Sequence, residues 1–210
     1  MAASGLDPAT IFPFPLDDFQ LEAIDALNQG HSVVVSAPTG SGKTLVGEYA
    51  IHRALAHGQK VFYTTPLKAL SNQKLRDFRE ACGEHDIGLM TGDLSVNREA
   101  SIVVMTTEIF RNMLYAEADE HDDPLADVEA VVLDECHYMN DSQRGTVWEE
   151  SIIHCPSSVQ LVALSATVAN AGQLTDWIEK VHGPTTLVLS DHRPVPVSYT
   201  HLTLPTICSV

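Results

Sequence analysis

Three short clusters in this chain have the residue types and spacing that phosphoryl chemistry requires. The first is Ser36-Ala37-Pro38-Thr39-Gly40-Ser41-Gly42-Lys43-Thr44, which follows the apolar run Val33-Val34-Val35 and precedes a helix-like segment beginning near Thr44. Gly40 and Gly42 lack a Cβ, so the backbone there can curl with its N–H groups pointing inward onto a polyphosphate. The N-terminus of the next helix adds unpaired N–H groups and partial positive charge. Lys43 reaches the β- and γ-phosphates as a mobile charge, and the Thr44 hydroxyl is placed to ligate a magnesium ion bridging them. Ala37 stands where the G-x-x-x-x-G-K-[ST] pattern has its first glycine, a mild departure because small residues serve there.

The second cluster is Asp134-Glu135-Cys136-His137, at the end of the run Val131-Val132-Leu133. Asp134 is placed to hold the magnesium, directly or through water, and Glu135 to accept a proton from, or orient, a water attacking the γ-phosphate. His137 is a candidate for hydrogen-bonded coupling toward the third cluster, Ser165-Ala166-Thr167. It has no spacing of a metal ligand.

These clusters need a scaffold that brings them to one rim. Apolar runs recur at Ser32 to Ser36, Val61 to Thr65, Ile102 to Thr106, Ala130 to Asp134 and Leu161 to Ser165, with Ile87 to Met90 shorter and Thr185 to Ser190 last. Their continuous apolarity fits strands buried on both faces. Helical patterns lie between them, at Asp18 to Gln29, Thr44 to Ala56, Ala69 to Ala81, Glu108 to Ala116, Thr146 to His154 and Asn170 to Val181. Asp17 or Asp18 would cap the first of these, and composition alone makes Gln20 a solvated helix residue. The alternation predicts an α/β fold, a mostly parallel sheet with helices on both faces and ligands at the carboxyl ends of the strands. Residues 1 to 11 are small and polar and expected to be poorly ordered, and Glu117 to Asp127, acidic and containing Pro124, reads as a surface loop.

Composition narrows the class. The chain has 210 residues, 44% hydrophobic and 19% charged, which suits one sizeable soluble domain. No apolar run approaches the roughly 20 residues that span a bilayer, and no lysine or arginine precedes Lys43, unlike a signal or transit peptide. A cytoplasmic location without membrane attachment is the expectation. Cys82, Cys136, Cys155 and Cys208 lack C-x-x-C spacing, which argues against a zinc site or a disulfide framework. The formal charge of −16 points away from an indiscriminate nucleic-acid binder but leaves room for a local groove.

Ala37 to Thr44, Asp134 to His137 and Ser165 to Thr167 resemble motifs I, II and III of superfamily-two helicases of the DExH-box variety. Thr65-Pro66-Leu67-Lys68-Ala69-Leu70-Ser71-Asn72-Gln73-Lys74 resembles motif Ia of superkiller-type RNA helicases. Met90-Thr91-Gly92-Asp93 and Met105-Thr106-Thr107-Glu108 are similar to that group's further strand-contacting motifs, and Phe19-Gln20 to its adenine-reading Gln motif. The resemblance covers roughly residues 12 to 196. It implies a RecA-like P-loop NTPase domain over residues 18–196, preceded by an extension over 1–17, and an ATP-dependent RNA helicase that uses ATP and Mg2+. Gln20 would read the adenine edge, with Phe14 or a neighbour near the ring. Lys43, Asp134 and Glu135 would be catalytic, and His137, Ser165 and Thr167 would couple the nucleotide to the rest. Pro66, Lys68, Thr91, Gly92, Thr106 and Thr107 would lie along single-stranded RNA.

A DNA helicase of the same superfamily is the alternative, and a nucleotide-gated binding module without motor activity is another. Enzymes of this superfamily have a second RecA-like domain that supplies arginine fingers; nothing after Thr167 resembles it, and Arg144 and Arg193 are in the wrong context. A truncated enzyme, weak or inactive alone, is therefore expected. Val197 to Thr206 looks like a translated sequencing adapter, so residues 197–210 are expected to be a non-native tail.

Overall fold

A computed structural model of the chain describes residues 5–82, 87–115, 124–140 and 145–191. The expectations for Arg144, Arg193, the tail 197–210 and most of the acidic loop concern positions outside these residues. Within them the elements run α1 (Pro8–Ile11), α2 (Asp18–Asn28), β1 (Ser32–Ser36), α3 (Thr44–His57), β2 (Lys60–Thr65), α4 (Lys68–Cys82), β3 (Ile87–Thr91) and β4 (Leu94–Val96). Then follow β5 (Ile102–Thr106), α5 (Thr107–Tyr115), β6 (Val128–Leu133), a 3-10 helix (Cys136–Asn140), α6 (Gly145–His154), β7 (Gln160–Ser165), α7 (Ala171–Val181) and β8 (Thr185–Leu189). No helix among them is long and apolar enough to cross a membrane.

The strands form one sheet in the order β4-β3-β5-β2-β6-β7-β1-β8, parallel throughout except for the antiparallel β3–β4 pair. Because side chains alternate across a strand, each apolar run feeds two cores. Val33, Val35, Tyr63, Val132 and Leu164 face one, built with α2, α3 and α4. Val34, Phe62, Val131, Leu133 and Ala163 face the other, built with α5, α6 and α7. Burial on both faces is why the runs read as continuously apolar. The mostly parallel sheet wrapped on both faces is the expected architecture.

Three features depart from expectation. Residues 8 to 11 form a turn of helix with Pro8 in its first turn, and the Asp7 carboxylate accepts from the Ala9 N–H at 3.0 Å. Leu6, Ile11 and buried Phe12 pack on the α2–α3–α4 core, and the Tyr49 hydroxyl lies 2.8 Å from both the Leu6 carbonyl and Asn28 Oδ1. The small, polar composition of residues 1 to 11 concealed two apolar anchors, Leu6 and Ile11, beside Phe12. The antiparallel strand β4 was not expected, because its three residues are all exposed and offer no periodicity. Gln20, expected to be solvated on composition, is buried at 5% exposure.

Away from the cleft, at the amino ends of β6 and β7, Arg53 of α3 is buried at 1% exposure. Its guanidinium donates to Glu129 Oε1 at 2.6 Å, to the Leu27 carbonyl at 2.6 Å, and to Gln160 Oε1. Glu129 also meets His57 Nδ1 at 2.8 Å. This network ties α2, α3, β6 and β7 together beneath the sheet.

Candidate nucleotide and strand-binding site

The carboxyl ends of β1, β6 and β7 are adjacent in the sheet, so the three chemical clusters share one rim. β1 ends at Ser36, and the Ala37 N–H donates to the Ser165 carbonyl at 3.1 Å, which locks the start of the loop to β7. Ala37 is fully buried, and a small residue is what that space admits. Gly40 and Gly42 both adopt φ of 82°, where L side chains are strained, and a Cβ on Gly42 would lie 2.8 Å from Gln20 Nε2. The turn Ser41 N–H to Pro38 O, 3.2 Å, delivers the chain into α3 at Thr44.

Lys43 is 6% exposed and pairs with no carboxylate among the described residues. The Ser41 hydroxyl is buried without a hydrogen-bond partner among the described residues. A buried ammonium and an orphaned hydroxyl in one loop are satisfied by an anion, and a polyphosphate fits that need. The loop opens on a cleft of about 410 Å³, lined by Thr39, Gly40, Gly42, Lys43 and Thr44 on one side. Asp134, Glu135 and, from α4, Leu70, Gln73 and Lys74 line the other.

Asp134 lies one residue past β6, yet its N–H still donates to the Thr64 carbonyl at 3.0 Å. One carboxylate oxygen accepts from the Tyr63 hydroxyl at 2.7 Å and the other from the Glu135 N–H at 3.0 Å. Lys74 Nζ stands 4.0 Å from Asp134 Oδ2 and 5.4 Å from the Tyr63 ring centre. Burial, and then the Asp134 charge, hold the Tyr63 phenol well above its usual value, so it remains a donor. Glu135 has φ of 56°, an uncommon conformation for a residue with a side chain, held by its bond to Asp134 and by the Tyr138 N–H on its carbonyl at 3.1 Å.

His137 Nδ1 sits 3.2 Å from Glu135 Oε2 and 3.4 Å from the Ala166 N–H. The ring thus meets the third cluster at a backbone amide. The Ser165 hydroxyl turns to the Ala166 carbonyl at 2.8 Å, and Thr167 is exposed. Burial pushes the Cys136 thiol up to about 12, against the opposing Ser165 hydrogen bond, which leaves a neutral packing residue between the two acids and His137.

Gln20 bridges helix and loop. Its Oε1 accepts from the Asp17 N–H at 2.9 Å, which makes Asp17 the N-cap of α2, and its Nε2 donates to the Gly42 carbonyl at 3.1 Å. Phe14 is exposed and tilted against Phe12, ring centres 5.9 Å apart.

The other residues singled out in the sequence gather on the adjacent half of the same rim, at the carboxyl ends of β2, β5 and β3. Lys68 and Gly92 are exposed, and Pro66, Thr91 and Thr106 are buried. Thr107 is 2% exposed with its hydroxyl donating to the Thr65 carbonyl at 3.2 Å, so its side chain is turned inward. Lys68 pairs with Asp93. Sequence reasoning missed Tyr63 and the cleft-lining face of α4. Leu70, Gln73 and Lys74 have the i, i+3, i+4 spacing that would have revealed that face.

A parallel sheet with a phosphate loop after β1 and a carboxylate pair after β6 defines a RecA-like P-loop nucleoside-triphosphatase domain. The DEAD/DEAH box helicase model matches residues 17–174. The chain is 55% identical over 192 residues to the DExH-box ATP-dependent RNA helicase DExH15, chloroplastic, of Arabidopsis thaliana, covering 90% of this chain and 16% of that protein. It is 50% identical over 192 residues to the antiviral helicase SKI2 of Saccharomyces cerevisiae, covering 91% of this chain and 15% of that protein. Among solved structures it is similar to the Mycobacterium smegmatis helicase Lhr bound to ssDNA and AMP-PNP. There the TM-score is 0.68 and the identity 26%, over 87% of this chain and 26% of that one. The chain belongs to the DEAD/DEAH box helicase family, and membership implies ATP binding. The chain spans less than a fifth of the length of the DExH15 and SKI2 proteins.

Proposed function

We propose that this chain is the ATP-binding first domain of an ATP-dependent RNA helicase, in which hydrolysis is coupled to single-strand binding and unwinding. The observation that carries the reading is the division of one rim. β1, β6 and β7 end at the cleft, β2, β5 and β3 end beside the residues assigned to the strand path, and α4 contributes Lys68 to the second group and Leu70, Gln73 and Lys74 to the cleft. A helix shared by both sites gives each a physical route to the other.

In this reading Lys43 and the loop N–H groups hold the polyphosphate, and Gln20 braces the loop and reads the adenine edge. Thr44 and Asp134 would hold a magnesium ion, directly or through water, which would neutralise charge on the phosphate oxygens. Tyr63 and the Glu135 N–H fix the Asp134 carboxylate in place. Glu135 orients, or takes a proton from, the attacking water. His137 links Glu135 to the Ala166 amide, and through it to Ser165 and Thr167. Pro66, Lys68, Thr91, Gly92, Thr106 and Thr107 line the strand path, with Thr107 contributing through its backbone. A second domain of the polypeptide would supply the cation that balances transition-state charge, so hydrolysis by these 210 residues alone is slow; robust turnover would overturn that part.

ATP hydrolysis followed with and without single-stranded RNA, in the wild type and Glu135→Gln, tests the assignment. Loss of about a hundredfold or more with nucleotide binding retained is expected. Hydrolysis unaffected by the substitution rejects it. DNA binding in the similar Lhr structure favours a second reading, a DNA helicase, which stimulation by DNA and not RNA would establish.

A further inference from the structure

Two residues assigned to the strand path, Lys68 and Thr91, converge on a carboxylate that no phosphate chemistry calls for. Thr91, Gly92, Asp93 and Leu94 form the tight connection between β3 and β4, in which Thr91 pairs with Leu94 across the antiparallel ladder. The turn brings the Asp93 side chain back over its own strand end. The Thr91 hydroxyl donates to Asp93 Oδ1 at 3.0 Å, and the Lys68 ammonium, from the first residue of α4, pairs with Asp93 Oδ2. A carboxylate therefore accepts from one hydroxyl and one ammonium, donors that suit the two non-bridging oxygens of a phosphodiester equally well. Lys68 and then Thr91 hold the Asp93 carboxyl below its usual value, so it is charged wherever a nucleic-acid backbone is charged.

Resting on the helicase reading of this face, we propose that Asp93 is an internal substitute for a backbone phosphate: it occupies the Lys68–Thr91 donor pair until a single strand displaces it. The side chains of Lys68 and Asp93 are 51% and 64% exposed, so the pair is weak and exchange needs no opening of the core. Exchange also reconciles a chain of formal charge −16 with a nucleic-acid partner. Lys68 is neutralised by Asp93 in the free protein, and the strand swaps one anion for another. The salt dependence at this position is then shallow, because a phosphate displaces a protein carboxylate whose charge must be re-solvated with a counterion.

The test measures binding of a fluorescent single-stranded RNA oligonucleotide by anisotropy, over a range of salt, for the wild type, Asp93→Asn, Lys68→Ala, the double variant of these two and Thr91→Val. Asp93→Asn is expected to tighten binding about two- to fivefold at low salt. It should also steepen the logarithmic salt slope by about 0.7, the increment for one freed cation on a single strand. The gain should vanish in the Lys68→Ala background, which separates local exchange from removing one negative charge. Equal gains in both backgrounds, no gain, or weaker binding by Asp93→Asn overturns the proposal. If Lys68→Ala weakens binding while Asp93→Asn changes nothing, the strand face stands and only the substitution of carboxylate for phosphate falls. If neither Lys68→Ala nor Thr91→Val alters binding, the strand does not run here and both readings fall together.

Discussion

The Tyr63 hydroxyl donates to Asp134 Oδ2 at 2.7 Å across two neighbouring parallel strands, so a residue of β2 fixes the orientation of an acid at the end of β6. Tyr63→Phe removes that donor without changing the packing of the ring against Phe78. It is expected to cost about 1 kcal/mol of stability. Nucleotide binding should become more dependent on magnesium concentration, since Asp134 loses its orienting bond. Fluorescent-nucleotide titration at stepped magnesium concentrations checks this, and identical titrations for the two proteins would refute it.

Gln20→Ala removes two bonds at once, the one to the Asp17 N–H and the one to the Gly42 carbonyl. Helix capping predicts a stability loss of about 1 kcal/mol. Binding of both ATP and GTP should weaken as the loop loses its brace. Titration with the two nucleotides divides the roles: the loss they share reports the brace, and the excess loss for ATP reports adenine reading.

Arg53→Met leaves Glu129, 10% exposed, opposite an apolar side chain, with His57 its remaining ion-pair partner among the described residues. The expected cost is about 3 to 5 kcal/mol in urea unfolding. Adding Glu129→Gln should recover part of it. Because the network sits at the amino ends of β6 and β7, nucleotide affinity of the folded variant should match the wild type.

His182 is buried, with its ring nitrogens 2.9 Å from the Val159 carbonyl and 3.3 Å from the Cys155 carbonyl. Burial holds its imidazole below the usual 6.5 despite those two acceptors. Between that folded value and 6.5 the unfolded chain binds more protons than the folded one, so stability rises with pH there. The contribution is whole above about 6.5 and is lost as pH falls through the folded value. Thermal melts from pH 7.5 to 5 should show a smaller decline for His182→Gln than for the wild type.

The core strands and their helices were legible in the sequence because burial on both faces leaves unbroken runs such as Val33-Val34-Val35 and Val131-Val132-Leu133. The three clusters were legible because each closes such a run. What escaped depends on partners distant in sequence. Tyr63 and Asp134 are 71 residues apart, and Gln20 reaches Gly42 across 22. Neither contact leaves a local signature. β4 escaped for another reason: its Leu94 and Val96 are exposed on a sheet edge, so no buried face imposes a pattern.

The strand that carries the phosphate loop bonds on both sides to strands made much later: Val33 registers with Val162 on β7 and with Thr186 on β8. On a ribosome, β1 is synthesised early and has no neighbour in the sheet until more than half of the domain has followed. Its run of three valines must wait, exposed or provisionally collapsed, and long-range parallel pairing of this kind is slow. The nucleotide cleft should therefore be among the last parts of the domain to form during translation, and the interval before β7 and β8 emerge is when this chain would most depend on a chaperone.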